Sequence, residues 1–265
     1  MSSEPRSSQP TSTALFDVSG LTVIVTGGDS GLGHAQAQAL LEGGARVVIM
    51  ARNQAKIDAA IQGWDAAGLH ARGVTADLSD ADSRARAFDR AVDLLGGLDV
   101  LVNTAGTITR HPAEEYPLAE YRQVLTVNAE APFALSQLAS RIFLPQGHGV
   151  IINMASMTSF DGGVGILAYA TSKGAIAQLT KSLANDWGPR GIRVNAIAPG
   201  YMATEFNTSL QDPDTPRNRE ISARIPAGRW GTPDDVKGIT VFLASQASAY
   251  VNGAVIPVDG GYLAR

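Results

Sequence analysis

The sequence predicts an α/β fold: a single doubly wound domain with a seven-stranded parallel sheet. Three observations predict it. Short apolar runs rich in β-branched residues, such as 21–26 and 46–51, recur along the chain and read as strands buried on both faces. Longer segments of helical character separate them, and that alternation is the pattern of a parallel sheet covered on both sides. A glycine-rich turn, residues 26–33, stands between the first strand and the first helix.

The totals agree with that class. At 265 residues the chain is long for one domain but usual for an open α/β sheet. Hydrophobic residues make up 45% and charged residues 17%, and the net charge of -4 offers nothing to nucleic acid or an anionic membrane. With no cysteine there is no disulfide, thiolate chemistry or cysteine metal site, and the cytoplasm fits best. No apolar run reaches membrane-spanning length. Residues 1–13 are rich in Ser, Thr, Pro and Gln, lack a signal peptide's apolar core, and read as a disordered tail before a domain over 14–265.

In chain order, strand one (21–26) runs into Gly27, Asp29, Ser30, Gly31, Leu32 and Gly33. There the chain turns tightly and its backbone approaches a ligand at the start of an Ala-rich helix. A helix N-terminus of that kind suits a pyrophosphate. Strand two (46–51) and a helix (53–67) follow, then a short strand at 73–76. Asp77 and Leu78 come next, Asp77 being either a ligand contact or the N-cap of the following helix. Strand four (98–102) precedes Asn103, Thr104, Ala105 and Gly106, and the loop 107–117 carries Arg110 and His111. One long helix is expected over 118–144, with Asn128 inside it where asparagine is a mediocre helix former. Strand five (150–154) ends just before Ser156 and Met157. The helix 168–187 carries Tyr169 and Lys173 four residues apart, on one face, so the ammonium lies beside the phenol and favours its ionised form. Strand six (193–198) ends at Pro199 and Gly200, followed by Tyr201, Met202 and Thr204. The Pro- and Gly-containing polar stretch to 230 reads as a mobile lid of short helices, about 201–230. A helix at 233–245 and a strand at 254–258 complete the sheet. His34, His70 and His148 have no partner at ligand spacing, so no metal site is expected.

Gly-x-x-x-Gly-x-Gly after strand one, Asn-Thr-Ala-Gly after strand four, and Ser156 thirteen residues before Tyr-x-x-x-Lys resemble the short-chain dehydrogenase/reductase family from about residue 16 onward. The resemblance implies a Rossmann-fold oxidoreductase. In it Tyr169 is the acid/base, Lys173 binds the nicotinamide ribose and lowers the tyrosine pKa, Ser156 polarises the carbonyl, and Asn128 interrupts its helix and completes a proton relay. Gly27, Asp29, Ser30, Gly31, Leu32, Gly33, Arg52, Asp77, Leu78, Asn103, Ala105, Gly106, Tyr169, Lys173, Pro199, Gly200, Met202 and Thr204 would hold the cofactor, Asp77 at the adenine. Thr104 departs from the family's usual asparagine, and strand support is expected to survive because threonine still hydrogen-bonds. The resemblance also implies a homotetramer built on the two long helices.

NADP is favoured over NAD. Ala51 stands where NAD enzymes carry an acidic residue, and Arg52 beside it suits a 2′-phosphate, although Asp29 argues the other way. Ala-Pro-Gly-Tyr-Met-Ala-Thr (198–204), Arg-Ile-Pro-Ala-Gly-Arg-Trp-Gly (224–231) and Tyr-Val-Asn-Gly (250–253) resemble the gluconate and 2-dehydro-3-deoxy-D-gluconate 5-dehydrogenases within the family, implying a sugar-acid substrate. Arg110 is the candidate cation for its carboxylate, with Ser156, Met157, Tyr201 and Met202 around it. The alternatives are a 3-oxoacyl-carrier-protein reductase, which would favour a basic entrance that this acidic chain barely offers, and a catalytically silent nucleotide-binding protein.

Overall fold

The structure, a computed structural model, describes residues 11–265. The first ten residues of the expected tail lie outside them. Seven parallel strands form one sheet: β1 (Thr22–Thr26), β2 (Arg46–Ala51), β3 (Ala71–Thr75), β4 (Val100–Asn103), β5 (Gly149–Met154), β6 (Ile192–Pro199) and β7 (Val255–Val258). Their order is β3-β2-β1-β4-β5-β6-β7, so the winding reverses between β1 and β4. Ligands of open α/β sheets bind at such a reversal, outside the carboxyl ends of the strands.

Both faces of the central strands are apolar because both are covered. Val23 and Val25 of β1 pack with Leu40 and Leu41 of α1 (Gly31–Glu42), Ile57 and Trp64 of α2 (Gln54–Ala66), and Leu243 of the last helix. Ile24, between them in sequence, points the other way. It joins Phe88 and Leu95 of α3 (Ala81–Leu95) and Leu135 and Phe143 of a later helix. Each fully buried side chain of this kind contributes about 1.5–3 kcal/mol, and together they fix the strand ends that build the cleft.

The expected long helix is split. It runs as α4 (Leu118–Leu125), a π turn (Thr126–Glu130) that holds Asn128, and α5 (Ala131–Gln146). The helix carrying Tyr169 is α6 (Leu167–Trp187). After β6 come a 3-10 turn (Glu205–Leu210) and α7 (Pro216–Arg224), then a 3-10 turn (Pro233–Val236) leading into α8 (Lys237–Ala244). The expected helix at 233–245 is thus shorter, because Thr232 and Asp235 close a capping box over the preceding turn. β3 begins two residues earlier than expected: Ala71 and Arg72 already pair with Val47 and Val48, and the polar Arg72 is tolerated on an edge strand. β4 begins at Val100, two residues later than expected, although Asp99 already bonds through its backbone to Thr22 and Val150. The Asp99 carboxylate accepts from the Thr22 backbone N–H at 2.8 Å and from its hydroxyl at 2.7 Å.

Candidate active site

The carboxyl ends of β1 to β6 open on one cleft of about 650 Å³. Its wall takes in Gly27, Asp29 to Gly33, Met50 to Asn53, Ala76 to Leu78, Thr104 to Thr107, Met154 to Ser156, Tyr169, Lys173, Pro199, Gly200, Met202 and Thr204. Nearly all of the expected cofactor contacts are therefore brought together, from six separate strand ends.

The glycine loop has the backbone that close approach demands. Gly31 sits at φ 55°, in the left-handed region that other residues rarely adopt. A Cβ there would meet nothing nearer than Thr204 Cγ2 at 4.0 Å, so the space in front of the loop is open. Gly33 has the opposite constraint: an added Cβ would lie 2.2 Å from the Gly27 carbonyl oxygen. The loop folds against itself at Gly33 and presents α1's N-terminus to the cleft. Together with the Arg52 guanidinium on the same wall, this suits a pyrophosphate-containing dinucleotide.

Asp77 lines the cleft, and its carboxylate accepts from the Ser79 N–H at 2.9 Å and hydroxyl at 2.7 Å. Those bonds hold its pKa below the ordinary aspartate value. The N-cap of α3 is Asp80, whose side chain accepts from the Ser83 N–H, so the capping alternative for Asp77 is excluded.

At the catalytic end, Ser156 stands two residues past β5 and caps a 3-10 turn (Met157–Ser159), its hydroxyl accepting from the Thr158 N–H at 3.1 Å. Ser159 donates to the Lys173 carbonyl at 2.7 Å, which fastens the serine turn to α6. Lys173 is buried, and its Nζ donates to the Met154 carbonyl at 2.7 Å and lies 5.5 Å from the Tyr169 ring centroid. Burial brings its pKa down to about 8. For Tyr169 the largest influence is also burial, which pushes the phenol up, while the Ser156 hydroxyl and the Arg110 charge act the other way. The Lys173 ammonium is turned to the Met154 carbonyl while lying over the phenol ring, and Ser156 and Arg110 also oppose the effect of burial on the phenol.

Asn128 is buried in the π turn and joins two elements of the site. Its amide donates to the Thr107 carbonyl at 2.8 Å and to Ser172 Oγ at 3.1 Å, and its oxygen accepts from the Thr107 N–H at 2.8 Å. Ser172 in turn donates to the Tyr169 carbonyl at 2.7 Å. The loop after β4 and the tyrosine helix are thereby fixed relative to each other. Arg110 is exposed on that loop, which is held by a bond from the His111 N–H to the Gly165 carbonyl at 3.0 Å.

Five expected site residues are not in the cleft wall: Asn128 and Arg110, already placed, and Asn103, Met157 and Tyr201. Asn103 points into the sheet–helix interface, where its amide meets Ser136 Oγ at 3.3 Å and Asn153 Oδ1 at 3.0 Å. Met157 and Tyr201 belong to a small apolar cluster with Ile221, Ile225, Trp230 and Tyr262 that props up the segment after β6. Thr104 keeps the strand supported: its hydroxyl donates to Gln36 Oε1, and Gln36 donates to Thr240 at 3.1 Å. Sequence reasoning missed Phe206, whose ring lies 5.8 Å from that of Tyr169, and the facing pair Lys56 and Glu205. No local sequence signal pointed to Lys56 or Glu205. Contrary to expectation, carboxylates do stand beside two histidines, Asp65 at 2.8 Å from His70 and Asp99 at 3.4 Å from His148. Among the described residues, no group of three metal-ligating side chains forms.

The comparisons with known proteins fit this geometry. The family model described as enoyl-(acyl carrier protein) reductase matches residues 27–263. The chain is 45% identical over 251 residues to a 2-dehydro-3-deoxy-D-gluconate 5-dehydrogenase of Dickeya dadantii, covering 94% of this chain and 98% of that one. It is 38% identical to a gluconate 5-dehydrogenase of Gluconobacter oxydans, over 93% and 96% of the two chains. The crystal structure of a Burkholderia cenocepacia gluconate 5-dehydrogenase in complex with NADP and tartrate superposes with a TM-score of 0.91 at 35% identity, covering 96% of this chain and 100% of that one. With the Ser156, Tyr169 and Lys173 cluster at the foot of a dinucleotide cleft, the chain belongs to the short-chain dehydrogenase/reductase family and is an NAD(P)-dependent oxidoreductase.

Proposed function

We propose that the protein interconverts a hydroxyl and a keto group on a sugar acid with NADP as cofactor, as a gluconate or 2-dehydro-3-deoxy-D-gluconate 5-dehydrogenase does. The cofactor supplies the hydride chemistry, and the protein orients the reactants. Gly27 to Gly33, Arg52, Asp77 and Leu78 line the end suited to the adenosine and phosphates, and Pro199, Gly200, Met202 and Thr204 the other end. Tyr169 donates or accepts the proton at the reacting oxygen, and Ser156 holds that oxygen. Lys173 orients the ribose, and Asn128 connects the site to a proton path through the loop after β4. General acid/base catalysis of this kind contributes about 10²–10⁴-fold.

The observation that carries the sugar-acid reading is the 45% identity to a 2-dehydro-3-deoxy-D-gluconate 5-dehydrogenase over nearly the whole of both chains, with Arg110, exposed on the loop after β4, as the candidate cation for the carboxylate. A guanidinium there meets a substrate carboxylate with a paired hydrogen bond while the keto group lies at the tyrosine. A carrier-protein substrate would favour a basic entrance instead, and a silent binding protein would not need Ser156, Tyr169 and Lys173 together. Arg110→Ala is expected to raise KM for a keto-uronate about tenfold and leave that for an uncharged ketone unchanged. Equal effects on both would sink the carboxylate assignment.

Residues 14–265 act in this reading as one cytoplasmic domain, with the segment 201–230 as its lid. Exposed Leu118, Phe133 and Leu167 on α4, α5 and α6 support assembly into a homotetramer through those helices.

A further inference from the structure

One end of the cleft is bridged by an ion pair between elements far apart in sequence. Lys56, in the first turn of α2, places Nζ 3.0 Å from Oε2 of Glu205, the first residue of the turn after β6. Both residues line the cleft, beside Asp29, Arg52 and Asn53. Their side chains are 48% and 83% exposed, so water competes with the pair and it adds little to fold stability. The Glu205 carboxylate, and to a smaller degree that of Asp29, holds the ammonium above the ordinary lysine range. The arrangement thus keeps a weakly held cation on the same cleft wall as Arg52.

We propose that Lys56 is a second cation for the 2′-phosphate of NADP and that Glu205 is its temporary partner, keeping the ammonium at the ribose end until the phosphate replaces the carboxylate. The inference rests on the reading of NADP as cofactor. A phosphate monoester carries roughly -1.5 to -2 charge and three acceptor oxygens, more than one guanidinium neutralises. Arg52 supplies a planar fork and Lys56 a compact point charge, a complementary pair for such a group. The 2′-hydroxyl of NAD carries no charge, so it cannot repay the loss of the Lys56–Glu205 contact. Glu205 therefore acts as a built-in competitor that the phosphate displaces: it tempers the affinity for NADPH and leaves that for NADH unchanged, so the preference for NADP comes from the two cations. Because Glu205 begins the segment that covers Tyr169 through Phe206, the exchange also releases that segment from α2 when NADP arrives.

The test is equilibrium fluorescence titration of the full chain with NADPH and with NADH, for the wild type, Lys56→Met and Glu205→Gln. The wild type is expected to bind NADPH more tightly. Lys56→Met should raise the NADPH Kd about tenfold and keep the NADH Kd within about twofold. Glu205→Gln should lower the NADPH Kd about threefold while NADH stays within about twofold, because the competitor is gone. A Lys56→Met variant that weakens both cofactors equally reduces the pair to a prop for the covering segment and overturns the proposal. Glu205→Gln without tighter NADPH binding overturns the competitor role. A wild type that prefers NADH overturns the cofactor reading and this inference with it, whereas NADPH preference unchanged in Lys56→Met overturns the inference alone.

Discussion

The two ends of the cleft are built by different means. At the glycine-loop end the ligand-facing groups are placed by backbone: Gly31 by its positive φ, Gly33 by contact with the Gly27 carbonyl, and Arg52 and Asp77 by the ends of adjacent strands. At the tyrosine end, placement depends on side-chain ties between distant segments. Ser159 reaches the Lys173 carbonyl, and Asn128 reaches Thr107 and Ser172. A backbone-built site tolerates side-chain change as long as the turn survives. A side-chain-built site loses its geometry or its chemistry with a single atom.

The sharpest test of that contrast is Tyr169→Phe, which removes one oxygen from the side-chain-built end. Turnover should fall by about 10²-fold or more, while the dissociation constant for the cofactor stays near the wild-type value. Steady-state kinetics with cofactor titration checks both, and near-normal turnover would remove Tyr169 from the proton-transfer role. Gly33→Ala is the reciprocal case. Its methyl group would sit 2.2 Å from a backbone oxygen, so the loop itself must shift. Overpacking of this kind costs about 1–3 kcal/mol, enough to weaken cofactor binding roughly tenfold if it falls on the loop. Saturating cofactor should then restore most of the turnover. Unchanged affinity in Gly33→Ala would show that the loop is softer than the contact implies.

The same contrast explains what could be read from the sequence. The strands and the glycine loop were legible because apolar runs and glycine spacing report on backbone directly. The split of the long helix was signalled by Asn128, through family resemblance rather than helical periodicity. The resemblance of Asn-Thr-Ala-Gly to the family motif implies Asn103 at the cofactor, and in the structure it ends β4. Successive strand residues point to opposite faces, however, and its amide faces the α5 layer while the cleft wall begins at Thr104. Met157 and Tyr201 adjoin cleft residues in sequence, but they pack with Ile221, Ile225 and Tyr262, which lie 20 or more positions away, and no local pattern announces that. The Lys56–Glu205 pair spans 149 positions and was invisible for the same reason.

Lys173 belongs to the tyrosine end, and its burial is tested through stability rather than turnover. Its ammonium is buried against the Met154 carbonyl, with a pKa of about 8 against an ordinary 10.5. Between those values the unfolded chain keeps a proton that the folded chain has released, so unfolding takes up protons. Stability therefore rises with pH across that window, by at most on the order of 1 kcal/mol per pH unit. The upper limit is set by tyrosine: burial raises the pKa of Tyr169 and Tyr201 above 10.0, so above that pH the unfolded phenols ionise first and stability falls. Denaturant melts from pH 7 to 11 should thus show a rise from about 8 to 10 and then a decline. Lys173→Met should lose the rise and keep the decline. If the rise persists in that variant, the buried lysine is not its source, and the ammonium is better solvated than its contact with the Met154 carbonyl implies.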